Sequence, residues 1–422
     1  MKILFVSALY PPYTRGGGEV SAHLIAQGLR ALGHDVTVMT GTEGGEAGLS
    51  KGRLKEVNGV PVIRLPIAMS AKPLLEKRYS RKVAKVLAKE IGDFKQYDVI
   101  HAQDFRSALA LSELPVFANG FDGSSPLLVA TARDYAQICG TTNNILRDGN
   151  RCTCSWRDVL RSHRVAEVPV LRKAARIWQY KYNIDYRKRS FRKFPGQIFI
   201  SHAQQKEIAR QQDLSGLITT VIYNPVAKRY LSEPVTRGVA GTVLYVGRVE
   251  MYKGVGLLLE AWKDVARELP NGQLKIVGEG AQRDDYERLV ENWGLQYRVK
   301  FVERVPWDRM QLVYDRAMVV VAPHIWVEPF GRTVAEAMAR GKIVVAADTG
   351  GPAEIIKHNI SGLLFKRGSI EALKDELCRA LTMPDLNKRE MQKAARAWTA
   401  KHLSVETIAR QHEEFYRELA RA

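Results

Sequence analysis

The strongest constraint on the fold is an alternation of short apolar runs with amphipathic segments. The run Lys2–Ser7 is almost entirely apolar, as expected for a parallel strand that is buried on both faces. Apolar residues then recur at helical spacing from Glu19 to Leu32, and Asp35–Thr40 alternates like a second strand. Strands that alternate with helices in this way predict an α/β fold built on doubly wound parallel sheets.

The same alternation continues in both halves of the chain, which is too long at 422 residues for one compact core. We predict a first domain over residues 1–225, a linker over 226–240 where the alternation breaks, and a second domain over 241–390. Amphipathic helices over 391–422 can cross back onto the first domain. Further strands are predicted at Val60–Leu65, Asp98–His101, Leu127–Thr131, Gly196–Ile200, Ile218–Ile222, Thr242–Val246, Leu274–Val277, Val299–Val302, Met318–Ala322 and Ile343–Ala347.

Composition narrows the class of protein. Hydrophobic residues make up 45% of the chain and charged residues 26%, both ordinary for a globular protein, and no apolar stretch is long enough to cross a membrane. Four cysteines do not make a disulfide framework, so a cytoplasmic protein is expected, either free or attached to the inner face of the membrane. Cys139, Cys152 and Cys154 lack the spacing of a common zinc site, which favours a structural or acceptor-loop role over metal binding, with a disulfide least favoured.

The net charge of +19 is unusual and unevenly distributed. The segment from Arg172 to Lys193 is strongly basic, with Asp185 as its one acidic residue and aromatic residues interleaved. Two interpretations remain open: a solvated helix face whose aromatic residues pack on the protein, or a patch that binds an anionic membrane or a lipid-diphosphate acceptor. Nucleic acid is not expected as a partner, because no recognised nucleic-acid motif accompanies the charge.

The segment from Pro323 to Arg340 contains the most informative candidate site. A strand ends, a turn carries Glu328 and Gly331, and a helix begins near Arg332. Backbone N–H groups at a helix start, with a glycine that permits close approach, can bind a diphosphate. Glu336, one turn into the helix, can accept hydrogen bonds from a ribose diol, and Glu328 lies where a sugar would project.

Two acidic residues beside a phosphate site require cations from elsewhere. The segment VGRVEMYKG supplies Arg248 and Lys253 just after the first strand of the same domain. Their charges would neutralise a departing diphosphate, which is the main electrostatic task in transfer from a nucleotide sugar.

These motifs, in this order, resemble the family-4 retaining glycosyltransferases, also called group 1 glycosyl transferases, of GT-B fold. The resemblance implies two Rossmann-like domains that face each other across a donor and acceptor cleft. It covers nearly the whole chain and is carried by five motifs: GGGE (16–19), GR…KG (247–254), VGEG (277–280), Glu328 with Glu336 eight positions later, and GGPAEII (350–356).

The resemblance also implies roles for individual residues. Glu328 would bind the donor sugar near its anomeric carbon, Glu336 the ribose, and Glu303 and Arg304 would lie near the nucleobase. No bound metal is expected, in agreement with the lack of an Asp-x-Asp pair. The remaining donor-binding residues would be Gly16 and Gly17, Arg248 and Lys253 at the diphosphate, Gly278, and Phe330, Gly331, Arg332 and Thr333 through their backbone amides.

The chain departs from the family beside the predicted reaction centre. Many relatives have a histidine where this sequence has Arg133, which stays protonated and cannot act as a base. The neighbouring Asp134 could act as one, although structural ion pairing is an equal alternative for both residues. His101, after a buried strand, could line the acceptor cleft or could be a hydrogen-bonded histidine at a strand end.

The resulting prediction is a retaining hexosyltransferase that moves a sugar from a nucleotide diphosphate sugar, preferably UDP- or GDP-linked, to a lipid-linked or glycan acceptor. The biosynthesis of surface polysaccharides or glycoconjugates is the expected setting. Two alternatives stay open: a nucleotide-sugar epimerase on the same scaffold, and a non-catalytic protein that binds through its basic surface. The epimerase gives no reason for the paired Glu328 and Glu336, and the binding protein leaves Arg248 and Lys253 without a purpose.

Overall fold

The chain divides into two units in the computed structural model, each built on its own sheet. The first unit comprises Met1–Pro225 and Val405–Ala422, and the second comprises Val226–Ser404. The structure describes residues 1–42, 53–71, 74–115, 126–140, 152–153, 155, 157–158 and 169–422.

The sheet of the first unit has the strand order β3-β4-β2-β1-β5-β6-β7-β8. All neighbouring strands are parallel except β3 and β4, which pair antiparallel. The eight strands are β1 Lys2–Ser7, β2 Asp35–Gly41, β3 Arg53–Val57, β4 Val60–Leu65, β5 Val99–Ala102, β6 Leu127–Ala132, β7 Gly196–Phe199 and β8 Ile218–Val221.

The sheet of the second unit is parallel throughout, with the strand order β11-β10-β9-β12-β13-β14. Its strands are β9 Thr242–Val246, β10 Gln273–Val277, β11 Val299–Val302, β12 Val319–Ala322, β13 Ile343–Ala347 and β14 Leu363–Phe365. The predicted α/β fold class is therefore confirmed, and so are the predicted strands, to within one or two residues at their ends. The short strands β3 and β14 were not predicted.

Helices cover both sheets. Along most of its length the described backbone alternates between strand and helix. Within the described residues, two short 3₁₀ helices lie at Phe94–Gln96 and Met251–Lys253. The α-helices are α1 Gly17–Ala31, α2 Glu76–Ile91, α3 Phe105–Leu111, α4 Val170–Phe191, α5 His202–Ala209, α6 Lys228–Ser232, α7 Val255–Glu268, α8 Arg283–Asn292, α9 Met310–Asp315, α10 Arg332–Ala339, α11 Gly350–Ile355, α12 Ile370–Thr382, α13 Asp385–Leu403 and α14 Val405–Leu419.

Strand β1 shows why its sequence is apolar at nearly every position. Ile3 and Phe5 point to one face of the first sheet, into a core shared with α1 and α14. Leu4 and Val6 point to the other face, into a core shared with α2 and α3. Because both faces are covered, alternation between polar and apolar residues is not needed, as is usual for parallel strands.

The stretch 226–240, which sequence analysis assigns to a linker, lies in the second unit and is held there by buried cations. Arg340 is fully buried, pairs with Asp315 at 2.7 Å, and donates hydrogen bonds to the carbonyls of Tyr230, Glu233 and Pro234. Lys342 donates to the Thr236 carbonyl at 2.7 Å, and burial lowers its pKa to about 8. These contacts satisfy backbone carbonyls in and just after the short helix α6.

Candidate active site

The carboxyl ends of β9 and β12 mark the candidate donor site of the second unit. The chain leaves β9 for β10 on one side of the sheet, and β12 pairs with β9 on the other. Loops at such a switch point are where open α/β sheets bind ligands. The loop after β9 carries Arg248 and Lys253, and the loop after β12 carries Glu328.

Two glycines let the loops after β10 and β12 approach the loop after β9 closely. Gly254 has φ of 78°, and a Cβ there would lie 1.8 Å from the carbonyl oxygen of Pro323. Gly278 has φ of 146°, and a Cβ there would lie 1.9 Å from the carbonyl oxygen of Gly247. Side chains at either position would force the loops apart, which explains the glycines of the KG and VGEG motifs.

Two donors and a histidine ring nitrogen converge on one carboxylate oxygen of Glu328. Lys253 Nζ lies 2.6 Å from Oε2, the indole Nε1 of Trp326 donates to it at 2.9 Å, and His324 Nε2 lies 3.5 Å away. The Lys253 ammonium also lies 4.8 Å from the centroid of the Trp326 ring. Glu328 is thereby held by charge and by hydrogen bonds, with Oε2 turned toward the protein.

The titration behaviour of this cluster follows from burial and charge. Burial alone would raise the pKa of Glu328, but the positive charge of Lys253 and the contact with His324 outweigh burial, and the pKa is lowered. Burial lowers the pKa of His324 to about 4. At neutral pH the cluster therefore contains an ionised Glu328 beside an uncharged imidazole.

Glu336 is buried and held from both sides. Helix α10 begins after Gly331, whose φ of 84° suits a glycine, and Glu336 lies on its second turn. Arg332 Nε lies 2.8 Å from Oε1 of Glu336, and the hydroxyl of Tyr314 donates to Oε2 at 2.9 Å. A ribose diol that binds here would contact a carboxylate that Arg332 and Tyr314 already hold in position.

A second glycine pair supports the turn between the two acidic residues. Gly350 has φ of 64°, and a Cβ there would lie 2.2 Å from the carbonyl oxygen of Glu328. The N–H of Gly351 donates to the same carbonyl at 2.8 Å, and a Cβ on Gly351 would lie 2.4 Å from the backbone of Phe330. The GGPAEII motif thus supports the Glu328 turn, a role that sequence reasoning did not assign.

The structure brings together only some of the predicted donor-site residues. Arg248 is 64% exposed and pairs with Glu250 at 2.8 Å rather than with the Glu328 cluster. Glu303 and Arg304 are exposed in the loop after β11. Phe330 is buried, so only its backbone could face a donor, and Thr333 is half-buried at the start of α10.

Sequence reasoning missed His324, Trp326 and Tyr314. His324 and Trp326 lie within the Pro323–Arg340 segment, so their nearness to Glu328 was a usable signal. Tyr314 lies 22 residues before Glu336, and no local pattern connects them.

In the first unit, the glycine-rich loop follows β1 and leads into α1. Gly16 is the N-cap of α1 in extended conformation, and Gly17 is its first residue; both are exposed. The Gly16 N–H donates to the carboxylate of Glu19 at 3.1 Å, which shapes the loop. A Cβ on Gly18 would lie 3.7 Å from the Arg133 side chain, so the loop and Arg133 are neighbours.

Arg133 and Asp134 follow β6, and their side chains make different contacts. Arg133 donates to the carbonyl and side-chain oxygens of Gln103 and to the side-chain oxygen of Asn224. Oδ1 of Asp134 accepts the N–H of Ala136 at 2.7 Å. Burial raises the pKa of Asp134 to about 6, against the opposing effects of this hydrogen bond and of nearby Arg187.

The structure corrects the assignment of His101 to the catalytic residues. His101 is fully buried, with Nδ1 2.7 Å from the Tyr416 hydroxyl and Nε2 2.7 Å from the Thr131 hydroxyl. Burial lowers its pKa well below the usual value, and the positive charge of Arg133 adds to the effect. Because both ring nitrogens are occupied within the protein, His101 stabilises the core beneath α14 and does not face a substrate.

The basic segment Arg172–Lys193 also differs from its simplest interpretation. Arg187 is only 3% exposed, pairs with Glu76 at 2.5 Å, and donates to the carbonyls of Ala136 and Cys139. It is therefore a structural residue and not part of a surface patch. The Cys139 and Cys152 side chains are buried, while Cys154 lies outside the described residues.

Within the described part of the chain, no three His, Cys, Asp or Glu side chains converge as a metal site would require. None of its described helices has the length and apolar character needed to cross a bilayer.

Comparison with known proteins agrees with this fold and these loops. A family model described as glycosyl transferases group 1 matches residues 235–398, and a model described as glycosyltransferase family 4 matches residues 15–118. An uncharacterized glycosyltransferase of Methanocaldococcus jannaschii is 26% identical over 86% of this chain and 84% of its own.

Other relatives match over a smaller region. The D-inositol 3-phosphate glycosyltransferase of Corynebacterium urealyticum is 31% identical over 46% of each chain. A GDP-mannose-dependent phosphatidylinositol monomannoside mannosyltransferase of Mycobacterium tuberculosis is 27% identical over 46% of this chain. This chain spans about half the length of both relatives.

Solved structures match over nearly the full length. HepE of Anabaena in complex with UDP superimposes with a TM-score of 0.68 at 22% identity, covering 99% of this chain and 100% of that one. A sucrose-phosphate synthase of Thermosynechococcus elongatus superimposes with a TM-score of 0.72 at 20% identity, covering 99% of both chains. With its two Rossmann-like units and these matches, the protein is a glycosyltransferase of GT-B fold. It belongs to the family-4, or group 1, glycosyltransferases, as the sequence motifs predicted.

Proposed function

We propose that the enzyme transfers a sugar from a nucleoside diphosphate sugar, with UDP or GDP as the nucleotide, to a lipid-linked or glycan acceptor, with retention of anomeric configuration. The observation that carries the proposal is the convergence of Lys253, Trp326 and His324 on Oε2 of Glu328, eight residues before the buried Glu336. HepE of Anabaena has been solved with UDP and with UDP-glucose, and the mycobacterial relative is GDP-mannose-dependent, which supports this class of donor.

Four charged side chains of the second unit then have a task in binding the donor. Lys253, with Arg248 turned from Glu250, meets the charge of the diphosphate, while the carboxylate of Glu336 accepts hydrogen bonds from the ribose hydroxyls. Glu328, anchored through Oε2, presents Oε1 to hydroxyl groups of the sugar. A cation near the diphosphate favours its departure, because negative charge accumulates on the leaving oxygen.

Transfer with retention can proceed by attack from the face that the diphosphate leaves. The acceptor oxygen forms a bond to the anomeric carbon while the bond from that carbon to the phosphate oxygen breaks. The acceptor proton passes to the departing phosphate oxygen or to Asp134, whose raised pKa of about 6 makes it a better proton acceptor than an ordinary aspartate. No metal has a task in this scheme, so chelation by EDTA should leave the activity unchanged.

A thermal-shift screen against nucleoside diphosphates and their sugar conjugates tests the donor assignment. We expect stabilisation by one nucleotide, reduced in Glu336→Gln and in Lys253→Met. Glutamine is chosen because it can keep a partner for Tyr314 and lose only the charge. Glu371→Gln and Arg389→Met, at exposed positions of the second unit, are the matched controls. Failure of every nucleotide to bind would contradict the proposal.

The product separates this proposal from its alternatives. The proton NMR coupling of the new anomeric centre should match that of the donor, whereas inversion would contradict retention. Conversion of the sugar nucleotide to an isomer without an acceptor would favour an epimerase. Tight salt-dependent binding to DNA with no nucleotide binding would favour a non-catalytic protein.

A further inference from the structure

Helices α2 and α4 lie side by side in the first unit, where neither contributes to the donor-binding loops described above. The carboxylate of Glu76 pairs with Arg187, and its N–H donates to the side-chain oxygen of Asn183 at 3.3 Å. The side chains of Gln179 and Asn183 both donate to the carbonyl of Leu74. These contacts hold the start of α2 against the middle of α4.

Large apolar side chains are exposed at this junction. Leu74 is 63% exposed and Trp178 is 62% exposed, and Leu75 is also exposed. The Trp178 ring stacks on Tyr182, with centroids 5.2 Å apart and planes inclined by 20°. We refer to Leu74, Leu75, Trp178 and Tyr182 as the apolar tip. Single exposed apolar residues are common, but four neighbours that include a tryptophan indicate a contact surface.

The two helices that carry the apolar tip also carry many exposed cations. The outer face of α2 is almost entirely basic, and its buried face, with Val83, Leu87 and Ile91, packs on the core. On the exposed faces of the two helices Asp185 is the one acidic residue. The basic rim is defined as the exposed cations of both helices that form no ion pair with another described residue: Arg78, Lys82, Lys85, Lys89, Arg172, Lys181 and Arg189.

The tertiary structure changes which residues form this surface. Arg187 is removed from it by burial, Arg192 pairs with Asp213 at 2.9 Å, and Lys193 donates to the carbonyl of Ser112. In their place α2 contributes four of the seven cations of the basic rim. The surface therefore combines two segments that lie about a hundred residues apart in the sequence.

We propose that this surface docks the enzyme on an anionic phospholipid membrane. Leucine and tryptophan side chains are suited to the boundary between headgroups and acyl chains, and the lysines and arginines around them can contact anionic headgroups while their aliphatic stems remain against the apolar layer. A nucleic acid would use the cations and could stack on Trp178, but it offers no partner for exposed leucines. The proposal concerns recruitment to a surface and does not depend on the identity of the donor.

Sedimentation with vesicles tests this docking surface. The full-length protein should bind vesicles of phosphatidylcholine mixed with phosphatidylglycerol, bind weakly to phosphatidylcholine alone, and dissociate as salt screens the charges. Trp178→Ala combined with Leu74→Ser should reduce binding at both low and high salt. Lys82→Gln, Lys85→Gln and Lys181→Gln together should lower the partition coefficient about a hundredfold, at about fivefold for each cation near the surface.

The control for the basic-rim variant also loses three positive charges, but at exposed positions of the second unit: Lys300→Gln, Lys366→Gln and Arg367→Gln. If this control loses binding as strongly as the basic-rim variant, net charge alone drives the association and the proposal is wrong. Unchanged vesicle binding in both tip and rim variants would also overturn it, as would a preference for single-stranded DNA over the anionic vesicles. Nucleotide-induced thermal shifts, measured on every variant, distinguish failure of docking from failure of the donor site or of folding.

Discussion

The indole N–H of Trp326 donates a hydrogen bond to Oε2 of Glu328 at 2.9 Å and thereby helps to hold this carboxylate in place. We expect Trp326→Phe to lower kcat/KM about tenfold, since a hydrogen bond to a charged group contributes about 1.5 kcal/mol and one factor of ten is about 1.4 kcal/mol. Affinity for the free nucleoside diphosphate should change little, because this indole contacts the carboxylate that we propose binds the sugar. Steady-state kinetics and calorimetric titration with the nucleotide measure the two quantities.

Trp178→Phe, which keeps an aromatic ring on the apolar tip, is the matched control and should leave both quantities unchanged when the acceptor is soluble. A parallel fall in nucleotide affinity for Trp326→Phe would mean that the whole loop has shifted, so Trp326 would not be a positioning residue for Glu328.

Asp134 makes the first unit sensitive to pH in a defined direction. Burial raises its pKa to about 6, so the folded state holds this proton more tightly than the unfolded state does. Its contribution to stability is complete below the unfolded pKa, near 4, and is lost as the pH rises through about 6. Asp134→Asn should therefore gain on the order of 2 kcal/mol relative to the wild type between pH 4 and pH 7.5.

Urea denaturation at several pH values measures this difference, and a difference independent of pH would contradict the raised pKa. If Asp134 also accepts the acceptor proton, kcat/KM of the wild type should fall as the pH drops below about 6. The Asp134→Asn variant should have a lower kcat/KM, and its kcat/KM should not fall further as the pH drops below about 6.

At the scale of elements, the last helix is the clearest case of a distant segment completing a core. Helix α14 packs on α1, where a Cβ on Gly28 would lie 2.8 Å from Val405 and Ala409. Tyr416 donates or accepts the hydrogen bond at His101 Nδ1, and Leu419 lies against Gly196. The first unit therefore depends on residues that follow the whole of the second unit in the sequence.

A chain that ends at Ser404 should lose the cooperative unfolding transition of the first unit, because the core under α1 would be open to water. The second unit should still bind nucleotide. Tyr416→Phe is the milder variant, with an expected cost of about 1–3 kcal/mol because it leaves a buried ring nitrogen without a partner. Differential scanning calorimetry with and without nucleotide separates the two transitions, and an unaltered first transition in the shortened chain would refute the assignment.

Prediction of elements succeeded where hydrophobic periodicity was strong. Strands β1, β9 and β13 and helix α10 lie within a residue or so of their predicted ranges, because nearly every residue of a buried parallel strand is apolar. The strand β3 is polar at most positions and pairs only with β4, so its sequence carries no such signal. Helix α2 was overlooked, although its apolar face has helical spacing, because its charged residues dominate the composition.

At the scale of the whole molecule, the two units divide the chemistry. The second unit carries the acidic and basic groups proposed for the nucleotide sugar, with Glu328 and Glu336 on the loop and helix after β12. The first unit carries the glycine-rich loop, Asp134 and the basic rim. The net charge of +19 is a property of the composition, whereas its concentration on α2 and α4 follows from the way those helices pack.

The sequence by itself determined the α/β class, the GT-B family, and the positions of Glu328, Glu336, Lys253 and the glycine motifs, because these depend on local periodicity and on fixed spacing along the chain. Only the tertiary structure decided that His101 and Arg187 are internal, that Tyr314 holds Glu336, and that α2 belongs to the basic surface. Burial and hydrogen-bond partners depend on residues that are far apart in the sequence and meet only when the chain folds, and no local pattern records them.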